Sequence, residues 1–280
     1  MNELNLRDKV AVITGGAGII CSTMAKSLAA HGVKTVLLDL NKDAATEVAK
    51  QIEKEYNTPS IGVYASVLDK ASLEEALKVV HESFGLIDIL VNGAGGNAPA
   101  ATTKVEKMEG TEEENLEETF FGLQIEGFER VFDLNFKGTL IPTMVFATDL
   151  VKKKSGVIIN ISSMNSYRPL TKIAAYSAAK AAVNNFTQWL AVHFSKTGVR
   201  VNALAPGFLL TNQNRFLLID EKTGGSTPRG RKILNGTPME RYCIPEELTG
   251  TLIYLVSDLS KFVTGVVIPV DGGFSAYSGV

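Results

Sequence analysis

The first forty residues alternate between strand and helix patterns around a glycine-rich turn. Val10–Ile13 is short, apolar and β-branched, as expected of a buried strand. The turn reads Gly15-Gly16-Ala17-Gly18, and a helix is expected over about residues 19–30. Val33–Leu38 is a second apolar run that predicts another buried strand. Units of this kind favour a parallel sheet with helical crossovers.

The same alternation continues along the rest of the chain. Further strands are expected at about residues 61–65, 87–91, 157–161, 199–204 and 266–270, and helices at about 42–56, 72–84, 127–153, 174–195 and 245–257. Ser72 and Glu75 suggest a capping box for the second of these helices. We therefore predict an α/β fold, a single Rossmann-like doubly wound parallel sheet of about seven strands with helices on both faces.

Two long segments interrupt this rhythm within the one domain predicted over residues 1–280. An acidic insertion runs from about 96 to 127, and a second segment runs from about 208 to 237. Both are expected to leave the carboxyl edge of the sheet, where ligands bind in such folds. Long loops in compact domains are usually functional or mobile, so we interpret the second as a substrate lid and leave the first as lid or interface.

The glycine turn and Asp39 together indicate a dinucleotide site. A glycine turn that opens a helix lets the backbone approach a phosphate, and the helix N-terminus favours the anion. Asp39, at the end of the second strand, can accept hydrogen bonds from ribose hydroxyls. Its charge would repel a 2′-phosphate, and no arginine follows it, so the expected cofactor is NAD rather than NADP.

A serine, a tyrosine and a lysine form the candidate catalytic group. Tyr176 and Lys180 are four residues apart, which places them on one face of a helix. A lysine ammonium beside a phenol is expected to lower the tyrosine pKa, so that Tyr176 can exchange a proton with a carbinol or carbonyl oxygen. Ser163 can hold the same oxygen in place. These groups suit oxidation of an alcohol or reduction of a ketone.

With these motifs in order, the chain resembles the short-chain dehydrogenase/reductase family along nearly its whole length. The resemblance rests on Thr14-Gly15, Asn92-Gly93-Ala94-Gly95, Asn135, the Ser163, Tyr176 and Lys180 group, Pro206-Gly207 with Thr211, and Asp271-Gly272-Gly273. It implies a catalytic tetrad of Asn135, Ser163, Tyr176 and Lys180, in which Asn135 fixes a water and Lys180 also holds the nicotinamide ribose. It implies cofactor contacts from Gly15, Gly18, Ile20, Asp39, Leu40, Val67, Asn92, Ala94, Tyr176, Lys180, Pro206, Gly207 and Thr211.

Four positions depart from the family pattern. Ile19 and Cys21 stand where the glycine motif has its second and third glycines, and Gly93 replaces the second asparagine of the family's NNAG motif. Ser66 precedes Val67, where an aspartate is frequent. These departures put individual cofactor contacts in question but leave the dinucleotide interpretation in place.

Polar groups near the catalytic residues indicate the substrate class. Asn97, Asn165, Arg168 and Arg215 are the candidate substrate residues, with Lys172, Asn212, Gln213, Arg229 and Arg231 nearby in the sequence. Amides suit sugar hydroxyls and arginine suits a carboxylate, which points to a polyhydroxy acid. We favour Arg168 as the carboxylate partner, with Arg215 and Lys172 as the other candidates.

The sequence around these residues resembles the mannonate oxidoreductase branch of the family. That resemblance implies interconversion of D-fructuronate and D-mannonate. The alternative enzymatic activity is that of a gluconate 5-dehydrogenase or another polyol or sugar dehydrogenase. The alternative without enzymatic activity is a regulator that binds the dinucleotide and does not catalyse a reaction.

Composition excludes several other kinds of protein. The 280 residues carry a net charge of −2 and no basic block, so no nucleic-acid partner is expected. No apolar run approaches the ~20 residues of a membrane span, and the N-terminus has no signal-peptide pattern. Two cysteines give no disulfide framework and three scattered histidines give no metal site, which together favour a cytoplasmic protein without a metal. Apolar residues on the helices at 127–153 and 174–195 suggest a subunit interface, and the resemblance implies a homotetramer.

Overall fold

A computed structural model describes residues 4–110, 115–211 and 214–279, and it contains one seven-stranded sheet. The strands are β1 Val10–Thr14, β2 Lys34–Asp39, β3 Ser60–Tyr64, β4 Ile89–Asn92, β5 Gly156–Ile161, β6 Val199–Pro206 and β7 Val267–Val270. All neighbouring strands are parallel, in the order β3-β2-β1-β4-β5-β6-β7. The predicted fold class is confirmed.

Helices cover both faces of the sheet. The α-helices are α1 Ile19–Ala30, α2 Lys42–Tyr56, α3 Lys70–Phe84, α4 Ile125–Phe132, α5 Gly138–Lys153, α6 Ala174–His193, α7 Arg215–Leu218, α8 Pro228–Asn235 and α9 Thr249–Val256. Side chains along a strand alternate between the faces, so Ile13 packs in the core under α1, α2 and α9. Val12, its neighbour, packs in the opposite core under α3, α5 and α6.

The start of α3 differs from the predicted capping box. Asp69 is the N-cap, and its carboxylate accepts the backbone N–H groups of Ala71 at 2.9 Å and Ser72 at 3.3 Å. The Ser72 hydroxyl instead accepts the N–H of Ser66 at 3.0 Å. The predicted capping box at Ser72 and Glu75 was therefore wrong, because an aspartate three residues earlier satisfies the free amides.

The long helix expected at 127–153 is interrupted by one wide turn. Helix α4 passes into a π-helical turn at Asp133–Lys137, and α5 continues from Gly138. Single π turns inside helices often occur at functional sites, because the extra residue changes where side chains point. Here the turn places Asn135 inside the protein with no exposed surface.

The two long segments fold against the carboxyl edge of the sheet. In the described parts of the two segments, residues 96–110 and 115–127 contain three short 3₁₀ turns before α4, and residues 214–237 contain α7 and α8. The Thr103 N–H donates to the Lys172 carbonyl at 3.1 Å, which attaches the first segment to the loop before α6. Asn212 and Gln213, two of the polar groups considered for the substrate, lie outside the described residues. Among the helices that are described, none has the length and apolar character needed to cross a membrane.

Candidate active site

A cleft of about 420 Å³ lies beyond the carboxyl ends of β1, β2 and β4. Eight of the residues predicted to contact the cofactor line it: Gly15, Gly18, Ile20, Asp39, Leu40, Val67, Ala94 and Thr211. The sequence prediction did not include Ile19, Cys21, Leu38, Ala65, Gly93, Gly95 and Leu134, which also line the cleft. Most of these are immediate neighbours of predicted residues, and only their orientation in the fold brings them into the cleft.

The glycine turn gives the cleft its phosphate-binding character. Gly15 has φ +67°, a left-handed conformation that L side chains rarely adopt. At Gly16 a β-carbon would lie 2.7 Å from Cβ of Leu37, so only glycine lets the turn rest against β2. Helix α1 begins at Ile19, and the amides of its first turn have no carbonyl four residues back inside the helix. These amides and the positive helix end fit a pyrophosphate.

Asp39 supplies the second part of a dinucleotide site. Its carboxylate accepts the Ala17 N–H at 3.1 Å and the Asn41 N–H at 3.0 Å, which fixes it at the end of β2. The side chain stays partly exposed and lines the cleft, so it can also accept the hydroxyls of an adenosine ribose. A 2′-phosphate at the same place would be repelled. The residues present therefore fit NAD.

The three chemical groups predicted from spacing come together at the end of β5. Ser163 follows the strand, Tyr176 is the third residue of α6, and Lys180 lies one turn further along that helix. The Ser163 hydroxyl is hydrogen-bonded to the Tyr176 side chain. The Lys180 Nζ lies 5.7 Å from the centroid of the Tyr176 ring and donates to the Ile161 carbonyl at 2.7 Å.

Burial, rather than Lys180, decides the proton affinity of Tyr176. Desolvation raises the pKa of Tyr176 above its ordinary value, and the hydrogen bond with Ser163 only partly offsets this. Burial also lowers the pKa of Lys180 to about 8. The expectation that Lys180 lowers the tyrosine pKa is not met in this structure, because the effect of burial on the pKa of Tyr176 is the largest and raises it. Tyr176 is thus a protonated acid at neutral pH.

Asn135 connects the π turn to the loop that follows β4. Its Nδ2 donates to the carbonyls of Gly96 at 2.7 Å and Val131 at 2.8 Å, and its Oδ1 accepts the Gly96 N–H at 3.2 Å. A β-carbon on Gly95 would lie 2.6 Å from Asn135 Oδ1 and 3.3 Å from Lys180 Nζ. Asn135 therefore holds this loop beside Lys180, which is compatible with the tetrad that the family resemblance implies.

Five predicted cofactor residues do not line the cleft: Tyr176 and Lys180, whose positions are given above, and the three residues Asn92, Pro206 and Gly207. Asn92 is buried, and its Nδ2 donates to Thr143 Oγ1 and Asn160 Oδ1, both at 2.9 Å. Pro206 ends β6 and Gly207 follows it, with the Gly207 N–H donating to the Val270 carbonyl at 2.9 Å. None of the three lines the cleft in this structure. Asn92 instead supports the interface between β4, β5 and α5.

The predicted substrate residues do not form one group. Asn165 is buried beside Ser163, and its side-chain Oδ1 has no hydrogen-bond partner among the described residues. Asn97 is exposed and donates to Thr102 Oγ1 at 3.0 Å. Arg168 is exposed, and its Nε donates to the Ser275 carbonyl at 2.9 Å. Arg215 is exposed at the start of α7. Of the four, only Asn165 is hydrogen-bonded to Ser163 among the described residues.

A smaller pocket of about 220 Å³ lies between the loop before α6 and helix α8. Its lining residues are Glu106, Leu170, Thr171, Lys172, Ile173, Phe208, Arg229, Lys232, Ile233 and Phe274. Lys172 and Arg229 are among the polar groups that the sequence places near the catalytic residues, whereas Glu106 and Lys232 are not. The latter two form an ion pair of 2.8 Å across 126 positions of sequence, and no local pattern marks such a contact.

Comparisons with known proteins agree with this geometry. An uncharacterized oxidoreductase of Bacillus subtilis (strain 168), UxuB, is 50% identical over 277 residues, covering 99% of this chain and 98% of that protein. A Haemophilus influenza crystal structure with bound NAD, provisionally named a D-mannonate oxidoreductase, is 51% identical with a TM-score of 0.94, and covers 100% of this chain and 99% of its own. A gluconate 5-dehydrogenase from Burkholderia cenocepacia J2315, in complex with NADP and tartrate, is 27% identical with a TM-score of 0.83, covering 99% and 98%.

The family assignment follows from these similarities. Residues 9–222 match the short chain dehydrogenase family, which is more than half of the chain. The cleft has the residues for NAD, and the Haemophilus relative contains NAD. The predicted family and cofactor are therefore confirmed. The chain belongs to the short-chain dehydrogenase family and is an NAD-dependent oxidoreductase.

Proposed function

We propose that this enzyme interconverts D-fructuronate and D-mannonate with NAD(H). The observation that carries the proposal is the similarity over the full chain to the Haemophilus structure with its provisional mannonate name. Two observations support it: the buried amide of Asn165 lies beside Ser163, and the pocket next to the loop before α6 contains three cations, Lys172, Arg229 and Lys232. A keto sugar acid offers hydroxyls for the amides and a carboxylate for the cations.

The residues divide the chemistry between them. NAD(H), when bound, supplies or accepts the hydride. Tyr176, whose raised pKa keeps it protonated at neutral pH, donates its proton to the oxygen of the ketone as the alcohol forms. Ser163, hydrogen-bonded to Tyr176, holds that same oxygen. Asn135 holds the loop after β4 through Gly96, and Lys180, whose Nζ donates to the Ile161 carbonyl, lies beside that loop.

Asn165 is a candidate for orienting the substrate. A buried amide oxygen without a partner is costly, at roughly 1–3 kcal/mol, so a hydroxyl that donates to Oδ1 would relieve that cost. The Asn165 backbone N–H donates to Ser163 Oγ at 3.2 Å, which fixes the residue next to the reacting oxygen. A sugar hydroxyl close to the ketone is the group with suitable chemistry.

A substrate panel tests the proposal. The purified enzyme is given NADH with D-fructuronate, with 5-keto-D-gluconate and with uncharged D-fructose, and kcat/KM is compared. The proposal expects D-fructuronate to be best by at least about tenfold. A preference for 5-keto-D-gluconate would support the alternative, a gluconate 5-dehydrogenase, which the Burkholderia similarity favours. A preference for D-fructose would contradict both.

We also propose that the enzyme is a homotetramer. Phe136 and Phe186 lie 5.9 Å apart between ring centroids, and Phe186 stacks with Trp189 at 6.2 Å. Trp189 is 56% exposed and Val192 is 75% exposed, so an apolar strip on α6 faces outward in the single chain. A strip of this kind is typical of an interface between subunits.

A further inference from the structure

We propose that the pocket formed by Lys172, Arg229 and Lys232 binds the carboxylate of the substrate. This inference rests on the proposed function and names the part of the site that recognises an acid. The three cations face a pocket with a single acidic lining residue, Glu106. The pocket therefore has an excess of positive charge, which suits an anionic ligand.

The pocket adjoins the reacting groups through the chain itself. Lys172 and Ile173 lie on the loop that connects Ser163 to Tyr176. The Ile173 carbonyl accepts the N–H of Ser177 at 3.1 Å, so the pocket wall is the first turn of the helix that carries Tyr176. Neither Ser163 nor Tyr176 lines the pocket itself, so the proposal requires a substrate that extends from the pocket along the start of α6 to these two side chains.

Aromatic residues form the apolar side of the pocket. Phe208 directly follows Gly207 at the end of β6, and its ring meets that of Phe274 edge to face at 5.3 Å. Ile173 and Ile233 complete this side. Apolar walls reduce water around a bound carboxylate and so strengthen its attraction to nearby cations.

The three cations of the pocket differ in whether another group of the protein already binds them. Lys232 pairs with Glu106 at 2.8 Å, and Lys172 Nζ donates to the Lys104 carbonyl. The hydrogen bond from Lys232, followed by the charges of Lys172 and Arg229, holds the pKa of the Glu106 carboxyl below its usual range. In the described part of the chain, Arg229 makes no hydrogen bond through its guanidinium, so its planar donors are free for a carboxylate.

The other arginines near the site are placed differently. Arg168 donates to the Ser275 carbonyl, and Arg231 donates through Nη1 to the Ser226 carbonyl at 2.7 Å. Neither lines the pocket, and Arg215 does not line it either. The structure thus favours Lys172 and Arg229 over the two arginines that the sequence analysis preferred.

The Glu106 carboxylate would compete with a substrate carboxylate for Lys232. It occupies the position on Lys232 that a substrate carboxylate would compete for. The pair also joins the 96–127 segment to the 208–237 segment, so substrate would replace one anion with another at the junction of the two loops. Removing the charge of Glu106 should therefore improve the binding of an acid, whereas removing a cation should impair it.

The experiment compares an acid with an uncharged ketone in matched variants. Lys172→Met and Arg229→Met should each lower kcat/KM for D-fructuronate by about 10- to 100-fold, mainly through KM, and change D-fructose by less than about threefold. Arg231→Met is the matched control on α8 and should leave D-fructuronate within about threefold. Glu106→Gln should lower KM for D-fructuronate, and an unchanged or raised KM would contradict the competition between the two carboxylates.

The outcomes separate this inference from the proposed function. If the parent enzyme prefers D-fructuronate but Lys172→Met and Arg229→Met keep that preference, the pocket assignment is wrong and the proposed function stands. If both variants lower kcat/KM equally for D-fructuronate and for D-fructose, the role of the two cations is structural and the assignment is again wrong. If Arg168→Met alone removes the preference, the carboxylate lies at Arg168. If the parent has no preference for acids, both proposals fail together.

Discussion

The sulfur of Cys21 occupies the space that a side chain on residue 93 would need. A β-carbon built on Gly93 would lie 2.1 Å from Cys21 Sγ, far inside van der Waals contact. These two residues are both departures from the family pattern, which has glycine at the first position and asparagine at the second. The family pattern has its larger residue, asparagine, in the loop after β4. This chain has its larger residue, cysteine, in the first turn of α1, so the two departures compensate one another. Both residues line the cofactor cleft.

The Cys21 and Gly93 pair predicts strongly non-additive mutations. Gly93→Ala should destabilise the protein by about 1–3 kcal/mol and weaken NADH binding, because the new methyl group meets the sulfur. Cys21→Ala removes that sulfur, so the double variant should recover at least about 1 kcal/mol of the loss. Urea unfolding of the four proteins measures the coupling. Additive free energies would show that the two positions do not compensate one another.

Tyr176 is predicted to be essential for turnover and dispensable for cofactor binding. Tyr176→Phe keeps the ring and removes the acidic hydroxyl, so kcat should fall by at least ~10²-fold. NADH affinity, followed by fluorescence titration, should stay within a few-fold of the parent. A variant with near-normal kcat would remove Tyr176 from the proposed role of proton donor.

The buried ammonium of Lys180 predicts a specific dependence of stability on pH. Its pKa is lowered from 10.5 to about 8 on folding, so the folded state binds fewer protons than the unfolded state between these values. Folding is therefore penalised below pH 8, and the penalty is relieved as the pH rises from 8 towards 10.5. Relative to Lys180→Met, the free energy of unfolding of the cofactor-free parent should increase by about 2–3 kcal/mol between pH 7 and 10. A difference that stays constant over this range would mean that the lysine pKa is normal.

Asp39 is predicted to set the preference for NAD(H). Its carboxylate lines the cleft and is fixed by the N–H groups of Ala17 and Asn41. Asp39→Ser removes the repulsion of a 2′-phosphate and weakens the contact with the ribose hydroxyls. The ratio of kcat/KM for NADH to that for NADPH should fall by at least about tenfold. An unchanged ratio would place the discrimination at another residue.

The exposed aromatic strip on α6 predicts a change of assembly on mutation. The parent should have the mass of a tetramer by light scattering at micromolar concentration, and Trp189→Glu should shift it to smaller species. Phe262→Glu is the control, because Phe262 is also an exposed aromatic residue but belongs to the loop before β7 and not to α6. A monomeric parent would contradict the proposed interface.

Local patterns were sufficient to predict the sheet and the proximity of Tyr176 to Lys180. Short β-branched runs located all seven strands, although β6 extends two residues further than expected, to Pro206. Spacing of four residues was enough to place Tyr176 and Lys180 on one helical face. These features depend on neighbours in the sequence, so the sequence alone carries them.

Features that depend on distant parts of the chain could not be predicted in this way. The pKa of Tyr176 follows from burial by several elements, and the ion pair of Lys232 with Glu106 joins two loops. Arg168 is five residues from Ser163, yet its guanidinium turns towards Ser275 near the C-terminus. Asn92 sits in a loop motif, yet its amide faces Thr143 and Asn160. Each of these orientations is decided by tertiary packing.

The most direct test of the account is to identify the product that the enzyme makes from D-fructuronate. The purified protein is incubated with D-fructuronate and NADH, NADH loss is followed by absorbance, and the product is identified by NMR against authentic D-mannonate. The account predicts one D-mannonate formed per NADH consumed, and no conversion by Tyr176→Phe. Absence of D-mannonate under conditions in which the enzyme binds NADH would contradict the central claim.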